Sequence, residues 1–384
     1  MKDKTLFMIP GPTQVPESIL HSTSRHPISH RSEEFSEVLS EVYANLRSIF
    51  RTKNSVFIYA SSGTGAMCAA IENLINPNDK VLCLVIGKFG ERWAEIAKHQ
   101  GADVDILSVI PGDVIEPSML ESRLKKANYK AVTLTHSETS TGAANDIKRL
   151  CALIKQYGAL SLVDGISSIC AMECKMDDWG IDVLISGSQK GFMLPPGLSF
   201  LSASKEALEV SKSCLYKSFY FNFDLHQKAV MKNTTPFTPA ISMIFGLQQS
   251  LRILISEGIE KINLKHQRHA LALRKALESI GLELLVKEDK NASYAITAVC
   301  PPKNIDVSDI TRIMKKDFDI VLANGQGELE NKIFRIGTLG FVCDRDLYTT
   351  ITALESTLKK LDFLSHCGKG LETLDKALSE KISQ

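Results

Sequence analysis

Short apolar runs alternate with amphipathic segments in the first half of the chain. Five runs have the length of strands and no polar face, which is typical of strands buried on both sides. They cover residues 56–60, 80–86, 130–135, 159–163 and 181–186. Segments with helical spacing lie between them, at residues 66–75, 92–100 and 147–157. This alternation predicts an α/β fold with a mostly parallel central sheet flanked by helices.

The flanking regions predict further elements. Residues 32–50 carry one helical stripe of apolar side chains, with Ser32 as a candidate cap. A strand at 198–202 and a helical region from the Pro-rich stretch at 235–239 to about Ile280 follow the sheet. The pattern then changes to that of a smaller α+β unit, with strands at 293–300 and 333–336, a helix from Val307 and a last helix from Arg345. We predict an N-terminal arm (1–20), a large domain (21–257) and a small C-terminal domain (258–384).

Composition narrows the functional classes. The 384 residues are 44% hydrophobic, enough for two domains, and 45 Lys and Arg balance 44 Asp and Glu. No global charge therefore favours nucleic acid or an anionic membrane. Apolar stretches are too short for a signal peptide or a membrane span. Nine scattered cysteines without a Cys-x-x-Cys pair predict reduced, mostly buried thiols in a cytoplasmic protein, and disfavour a metal site or disulfides.

Two charged residues follow apolar runs of the predicted sheet. Asp164 comes directly after the run at 159–163, and Lys190 follows the run at 181–186. Ligands of such sheets bind beyond the carboxyl ends of the strands, so both side chains are expected at one site. A buried lysine can form a Schiff base, and an aspartate can pair with a pyridinium nitrogen. The pair predicts a pyridoxal 5′-phosphate site, although Asp164 taken alone is better explained as a helix cap.

A glycine-containing loop follows the first predicted strand. Residues 60–65, Ala-Ser-Ser-Gly-Thr-Gly, open a helix, where N–H groups and hydroxyls suit a phosphate. Taken alone, a tight turn is as good an explanation, and the loop lacks the Gly-Lys-Ser/Thr ending of a nucleotide P-loop. With Asp164 and Lys190 present, we interpret the loop as a phosphate site.

Three more residues have both a functional and a structural interpretation. Thr139 lies in a polar run at 135–142, where its hydroxyl suits a cofactor or substrate contact as well as a turn. Phe89 follows the run at 80–86 and suits either stacking on a ring or core packing. Arg335 interrupts an apolar run and needs a partner, either a structural carboxylate or the carboxylate of a substrate.

Together these motifs resemble the class V, fold-type I aminotransferases that use pyridoxal 5′-phosphate, in particular the alanine-glyoxylate and serine-glyoxylate (serine-pyruvate) group. The similarity covers nearly the whole chain. Its most specific part is Ser-Gly-Ser-Gln-Lys at 186–190 followed by Pro-Pro-Gly at 195–197. It implies a homodimer with shared active sites. It also implies ping-pong transamination between a small amino acid, such as alanine or serine, and a 2-oxo acid such as glyoxylate or pyruvate.

The resemblance also implies a role for each matching residue. Lys190 would be the catalytic lysine that holds the cofactor covalently, and Asp164 would pair with its ring nitrogen in the large domain. Arg335 and Gly11 would bind the substrate. The other cofactor contacts would be Ser62, Gly63, Thr64, Phe89, Thr139, Ile166 and Gln189 in the same chain, and Thr235 and Thr238 from the partner subunit.

Some positions depart from relatives in this group. Thr64 replaces a histidine and Phe89 a tryptophan of the animal alanine-glyoxylate enzymes, and Thr235 stands where some relatives have tyrosine. These changes leave the cofactor prediction intact and the substrate pair open.

Three alternatives remain. A 2-aminoethylphosphonate transaminase is one, because Arg335 alone does not exclude a phosphonate. A cysteine desulfurase or selenocysteine lyase would have histidine in place of Gln189 and a reactive cysteine on a late loop, for which Cys343 is poorly placed. A catalytically silent regulator would carry an added basic DNA-binding domain, and the chain shows no basic patch for one.

Overall fold

A computed structural model describes residues 5–215 and 217–380. The strands are β1 (Leu6–Met8), β2 (Val56–Tyr59), β3 (Lys80–Val85), β4 (Asp103–Ser108), β5 (Ala131–Thr135), β6 (Ser137–Glu138), β7 (Ala143–Ala144), β8 (Leu160–Asp164), β9 (Val183–Gly187), β10 (Ser199–Ala203), β11 (Glu283–Leu284), β12 (Ile296–Cys300), β13 (Ile320–Asn324) and β14 (Phe334–Gly337). The helices are α1 (Glu17–Thr23), α2 (Glu33–Phe50), α3 (Gly63–Leu74), α4 (Lys88–His99), α5 (Pro117–Leu124), α6 (Ile147–Gln156), α7 (Lys205–Lys212), α8 (Phe223–Val230), α9 (Ile241–Glu257), α10 (Ile259–Ser279), α11 (Val307–Phe318), α12 (Asp344–Lys360) and α13 (Lys369–Ser379).

The larger sheet has the strand order β2-β10-β9-β8-β5-β3-β4. Neighbours from β9 to β4 are parallel, whereas β10 runs antiparallel to both β9 and β2. The predicted α/β fold with a mostly parallel sheet is thereby confirmed. Asp164, the last residue of β8, lies beside Thr135 of β5 and Ile185 of β9. The carboxyl ends of the central strands therefore meet at one edge.

Elements with a continuous apolar pattern lie where the sequence predicts them. All five buried runs form strands, and α2 begins after Ser32, whose side chain accepts a hydrogen bond from the Phe35 N–H. The helical region before Ile280 is divided at Gly258, where φ is 87°. Because glycine adopts positive φ without a steric penalty, the chain changes direction there.

The prediction that the helix from Arg345 is the last one is wrong. α12 begins at Asp344, and α13 follows it, burying Leu374, Ala377 and Leu378. These residues have helical spacing, and they pack on α10 and α12. The sequence interpretation also missed β4. It lies at one edge of the sheet, and its charged and apolar residues alternate because only one of its six residues is buried.

A second sheet has the order β1-β13-β14-β12-β11. Its first strand comes from the start of the chain, and Leu6 pairs in parallel with Ile320. An apolar core of its own covers this sheet, built with α10 to α13, whereas the larger core surrounds the seven-stranded sheet. The predicted arm and the boundary at 257/258 stay predictions, and residues 1–4 and 381–384 lie outside the described part of the chain. No helix within the described part is long and apolar enough to cross a membrane.

Candidate active site

Lys190 lies just beyond β9, beneath a turn formed by residues 10–13. Its Nζ donates a hydrogen bond to the carbonyl of Pro10. The Thr13 N–H donates to the Gln189 carbonyl at 3.1 Å, and the Thr13 hydroxyl donates to the Lys190 carbonyl at 3.1 Å. A Cβ on Gly11, where φ is +130°, would lie 2.6 Å from Nζ. The N-terminal turn thus covers the lysine, and only a residue without a side chain fits at position 11.

Burial shifts the pKa values of Lys190 and Asp164 towards each other. Burial lowers the pKa of Lys190 to about 8; the nearby Asp164 charge opposes this effect and Arg335 adds to it. Burial raises the pKa of Asp164 to about 7, although the Ile166 N–H donates to Oδ1 at 2.8 Å. The structure therefore brings together the amine and the carboxylate that the sequence placed at neighbouring strand ends.

Several predicted contacts lie around this pair. Ile166 packs so closely on Gly63 that a Cβ there would lie 2.4 Å from its Cδ1. Gln189 has a buried side-chain oxygen without a hydrogen-bond partner among the described residues. A Cβ on Gly187 would lie 3.5 Å from that oxygen. An unpaired buried amide oxygen is costly unless a ligand donates to it.

The glycine-containing loop leads into α3, with Ser62 as its N-cap residue. The Thr64 hydroxyl accepts a hydrogen bond of 3.2 Å from Nη1 of Arg92, a residue that the sequence interpretation had not singled out. The Arg92 guanidinium also lies over the Phe89 ring, 4.8 Å from its centroid. Phe89 is half-buried. The core-packing interpretation of this residue is therefore not what the structure shows.

Arg335 is buried and binds two backbone carbonyls. Nε and Nη2 donate to the Asn324 carbonyl at 2.9 and 2.6 Å, and Nη1 donates to the Thr139 carbonyl at 2.7 Å. The salt bridges among the described residues do not include Arg335. Burial lowers its pKa to about 10, against the effect of the Glu138 charge. At neutral pH the guanidinium is a buried cation that pairs with no carboxylate of residues 5–215 and 217–380.

The loop that supplies Thr139 contains a buried carboxylate that sequence reasoning missed. Glu138 is fully buried, and its oxygens accept four hydrogen bonds: from the N–H groups of Phe89, Gly90 and Ser140, and from the Ser140 hydroxyl. A glutamate directly after a strand of the central sheet was the available signal. Two of its partners, Phe89 and Gly90, lie 49 and 48 residues earlier in the chain, so the sequence alone could not reveal them.

Thr235 and Thr238 lie elsewhere in the chain. They line a small cavity together with Tyr220 and His226. The Thr235 hydroxyl donates to the Phe237 carbonyl at 2.7 Å, whereas Thr238 is exposed. The structure of one chain thus does not bring this segment to Lys190.

The cysteines do not form a reactive centre beside Lys190. Five of the nine are buried, and all nine are free thiols. Cys343 is the N-cap residue of α12, with its sulfur 3.3 Å from Asp346 Oδ2. Within the described ranges, no three or more His, Cys, Asp or Glu side chains are grouped as a metal site.

Comparisons with known proteins identify one family. The similar proteins themselves are named either as aminotransferases or as hydrogenase subunits. A family model described as aminotransferase class-V matches residues 9–333. The soluble hydrogenase small subunit of Synechococcus sp. (strain PCC 6716) is 43% identical, over 99% of this chain and 100% of that protein. Serine-glyoxylate aminotransferase of Arabidopsis thaliana is 32% identical, over 98% of this chain and 96% of that protein. The solved structure of ureidoglycine-glyoxylate aminotransferase from Bacillus subtilis superposes with a TM-score of 0.94 at 27% identity, covering 99% of each chain.

Proposed function

The chain belongs to the class V aminotransferases, and on that premise we propose that it binds pyridoxal 5′-phosphate through Lys190 and transfers the amino group of a small amino acid to glyoxylate or a similar 2-oxo acid. The observation that carries the proposal is that the Lys190 amine and the Asp164 carboxyl are buried at the carboxyl ends of the neighbouring strands β9 and β8, where each charge affects the pKa of the other group. A cytoplasmic location stays a prediction.

The residues around this pair fit the cofactor. Gln189 presents a buried oxygen without a partner, and the start of α3 presents N–H groups and the Thr64 hydroxyl beside Arg92. A helix N-terminus with a nearby cation favours a phosphate group. Glycines at positions 11 and 63 leave room where a Cβ would lie 2.6 Å from Lys190 Nζ or 2.4 Å from Ile166 Cδ1. The site therefore offers an amine, a carboxylate and an anion subsite within one buried region.

Each side chain has a chemical task in this proposal. When bound, pyridoxal 5′-phosphate supplies an electron sink for the charge left at the substrate Cα. Asp164 would keep the ring nitrogen protonated, since a carboxylate beside a cation in a buried site favours the charged form of both groups. With a pKa of about 8, Lys190 is a free base in roughly one molecule in ten at pH 7, so it would be available to bind the cofactor covalently. Once the substrate amine had displaced it, the released lysine would carry the Cα proton. Arg335 orients the substrate carboxylate.

The names of the relatives guide the choice of acceptor. The Arabidopsis and Bacillus proteins have different donors in their names, serine and ureidoglycine, but share glyoxylate. Glyoxylate carries one carboxylate, which suits the buried Arg335 guanidinium, whose hydrogen bonds among the described residues are to backbone carbonyls. We therefore propose glyoxylate as the first acceptor to test and leave the donor among small amino acids.

The test uses one half-reaction at a time. Purified protein mixed with pyridoxal 5′-phosphate should develop a visible absorbance band that borohydride fixes covalently, and Lys190→Ala should lack it. Protein loaded with pyridoxamine 5′-phosphate should develop the same band on addition of glyoxylate. Absence of any band in the wild-type protein would contradict the proposal.

A donor screen separates the alternatives. Loss of the visible band on addition of alanine or serine is the expected result, and loss with 2-aminoethylphosphonate alone would favour the phosphonate enzyme. Sulfide release from cysteine would favour a desulfurase. Because the Synechococcus relative bears a hydrogenase name, dihydrogen uptake with an artificial electron acceptor serves as a parallel assay. Turnover of dihydrogen without any transamination would contradict our proposal.

We also propose that two copies form the complete site, with Thr238 of one chain reaching the phosphate subsite of the other. Exposed apolar side chains surround this residue's segment. Phe219 is 77% exposed and packs on Phe237, and Tyr220 stacks on the same ring at 5.2 Å. Exposed aromatic groups of this kind are typical of an interface.

A further inference from the structure

The first turn of α4 has no cap of its own. Its N-cap residue is Gly87, which has no side chain to accept a hydrogen bond from the helix. The first backbone N–H groups of a helix need partners from outside the helix. Here the partners come from residues 138 and 140, about 50 positions later in the chain. The Lys88 N–H donates to the Ser140 hydroxyl at 3.0 Å, and the Phe89 and Gly90 N–H groups donate to Glu138 Oε2 at 2.9 and 3.2 Å.

Glu138 is surrounded by hydrogen-bond donors. Oε2 accepts the two helix N–H groups, while Oε1 accepts the Ser140 N–H at 3.0 Å and the Ser140 hydroxyl at 2.6 Å. Burial raises the pKa of Glu138, and the four hydrogen bonds oppose that effect. A site made only of donors favours the carboxylate over the protonated acid, and the N-terminal end of a helix favours an anion.

The same loop also contacts Arg335, the residue proposed to bind the substrate carboxylate. Thr139, between Glu138 and Ser140, uses its carbonyl to accept the 2.7 Å hydrogen bond from Arg335. The Glu138 charge also opposes the fall in the pKa of Arg335, whose main cause is burial. Residues 138–140 thus bind α4 through two side chains and Arg335 through the carbonyl between them.

We infer that Glu138 is a positioning residue of the active site, which fixes Phe89 and Arg335 relative to each other through the first turn of α4 and the Thr139 carbonyl. The inference rests on the proposed function, in which Arg335 binds the substrate carboxylate, and on the sequence prediction that Phe89 stacks on the cofactor ring. Gly87 agrees with it, because a Cβ there would lie 2.4 Å from the Ser140 hydroxyl and 2.6 Å from Glu138 Cγ. The loop and the first turn of α4 therefore pack together without space for a side chain at position 87.

Glu138→Gln is the test, because it removes the charge and turns a donor towards the N–H groups. Two readouts are followed with the cofactor-loaded protein: visible circular dichroism of the cofactor band, and the glyoxylate concentration that half-saturates the reaction of the pyridoxamine-loaded form. We expect an altered dichroism spectrum and a roughly tenfold or greater rise in the half-saturating concentration, as for the loss of a hydrogen bond to a charged group.

Glu355→Gln is the matched control. Glu355 is also buried, and it accepts the N–H groups of Gly368 and Gly370 at 2.9 and 2.7 Å in the first turn of α13. This variant should lower the melting temperature without changing either readout. If Glu138→Gln behaves like Glu355→Gln, with a normal spectrum and normal glyoxylate saturation, the inference is wrong.

A second variant and the wild-type protein complete the design. If Glu138→Gln does not fold, Ser140→Ala removes one donor from Oε1 and should change both readouts in the same direction; normal readouts in Ser140→Ala would then overturn the inference. A wild-type protein that forms no cofactor band would instead contradict the proposed function. The two failures are therefore distinguishable.

Discussion

Asp164 shows how a functional carboxylate destabilises the protein that carries it. Its pKa is raised from the ordinary 3.8 to about 7, chiefly by burial. Between these pH values the folded chain binds more protons than the unfolded chain, so stability falls as the pH rises. Above pH 7 the destabilisation by the Asp164 charge is complete. The shift in the pKa of Asp164 corresponds to a loss of about 4 kcal/mol at most in the free energy of unfolding.

We therefore predict that Asp164→Asn stabilises the cofactor-free protein at pH 8 and that this advantage disappears near pH 4. Asparagine keeps an oxygen for the Ile166 N–H but carries no charge. In the presence of pyridoxal 5′-phosphate the order reverses, because the variant cannot pair with the ring nitrogen. Thermal melting with and without cofactor, at several pH values, measures both effects.

Asp182 supplies the control for this prediction. It is also buried with a raised pKa, but it accepts hydrogen bonds from the Ser161 N–H at 2.9 Å and the Ser204 hydroxyl at 3.0 Å. Asp182→Asn should be destabilising with or without cofactor, since its amide would lose acceptors for these donors. A cofactor-free Asp164→Asn protein that melts below wild type at pH 8 would show that burial of the charge carries no such cost.

At the level of elements, sequence patterns predicted the buried strands well. They missed the more polar strand β4 and the C-terminal helix α13. Strands covered on both faces need unbroken apolar runs, so β2, β3, β5, β8 and β9 are visible in the sequence. A strand that is mostly exposed, such as β4, needs only an alternating pattern, which resembles a surface segment. Lys190 and Asp164 were predictable because the ends of parallel strands converge. Arg92, Glu138 and the Pro10 carbonyl were not, because contacts between distant segments define their roles.

The turn at residues 10–13 is an element whose position depends on such distant contacts. Gly337, at the end of β14, lies so close that a Cβ would be 2.2 Å from the Ile9 carbonyl oxygen, and a Cβ on Gly340 would be 3.0 Å from Thr13. The segment that follows Arg335 therefore supports the turn that covers Lys190. This packing connects the C-terminal sheet with the cofactor lysine.

We predict that Gly337→Ala displaces the turn and weakens cofactor retention by about tenfold, as expected when a contact worth about 1.4 kcal/mol is lost. Dialysis followed by absorbance of the retained cofactor measures the loss. Gly370→Ala is the control, because a Cβ there also meets close neighbours, Ile280 and Glu355, but at the start of α13. Equal cofactor retention in the two variants would show that β14 does not support the turn.

At the scale of the whole molecule, the proposed site is complete only in a pair of chains. Thr238 is exposed and lies in the segment with the aromatic contacts of Phe237, whereas Lys190 lies under the N-terminal turn. Since Thr238 is on the surface of one chain, Thr238→Glu should fold normally. In a dimer it would place a negative charge against the phosphate bound by the other chain.

This arrangement predicts complementation between two inactive variants. Lys190→Ala and Thr238→Glu should each transaminate poorly, but a refolded equal mixture should recover up to about a quarter of wild-type activity. Half of the dimers are then mixed, and each contains one site with an intact lysine and an intact partner threonine. A mixture of Lys190→Ala with Asp164→Asn should recover nothing, because both changes lie in the same chain's half of the site. If the Thr238→Glu mixture also recovers nothing while the proteins are dimeric in sedimentation, Thr238 acts within its own chain or not at the site.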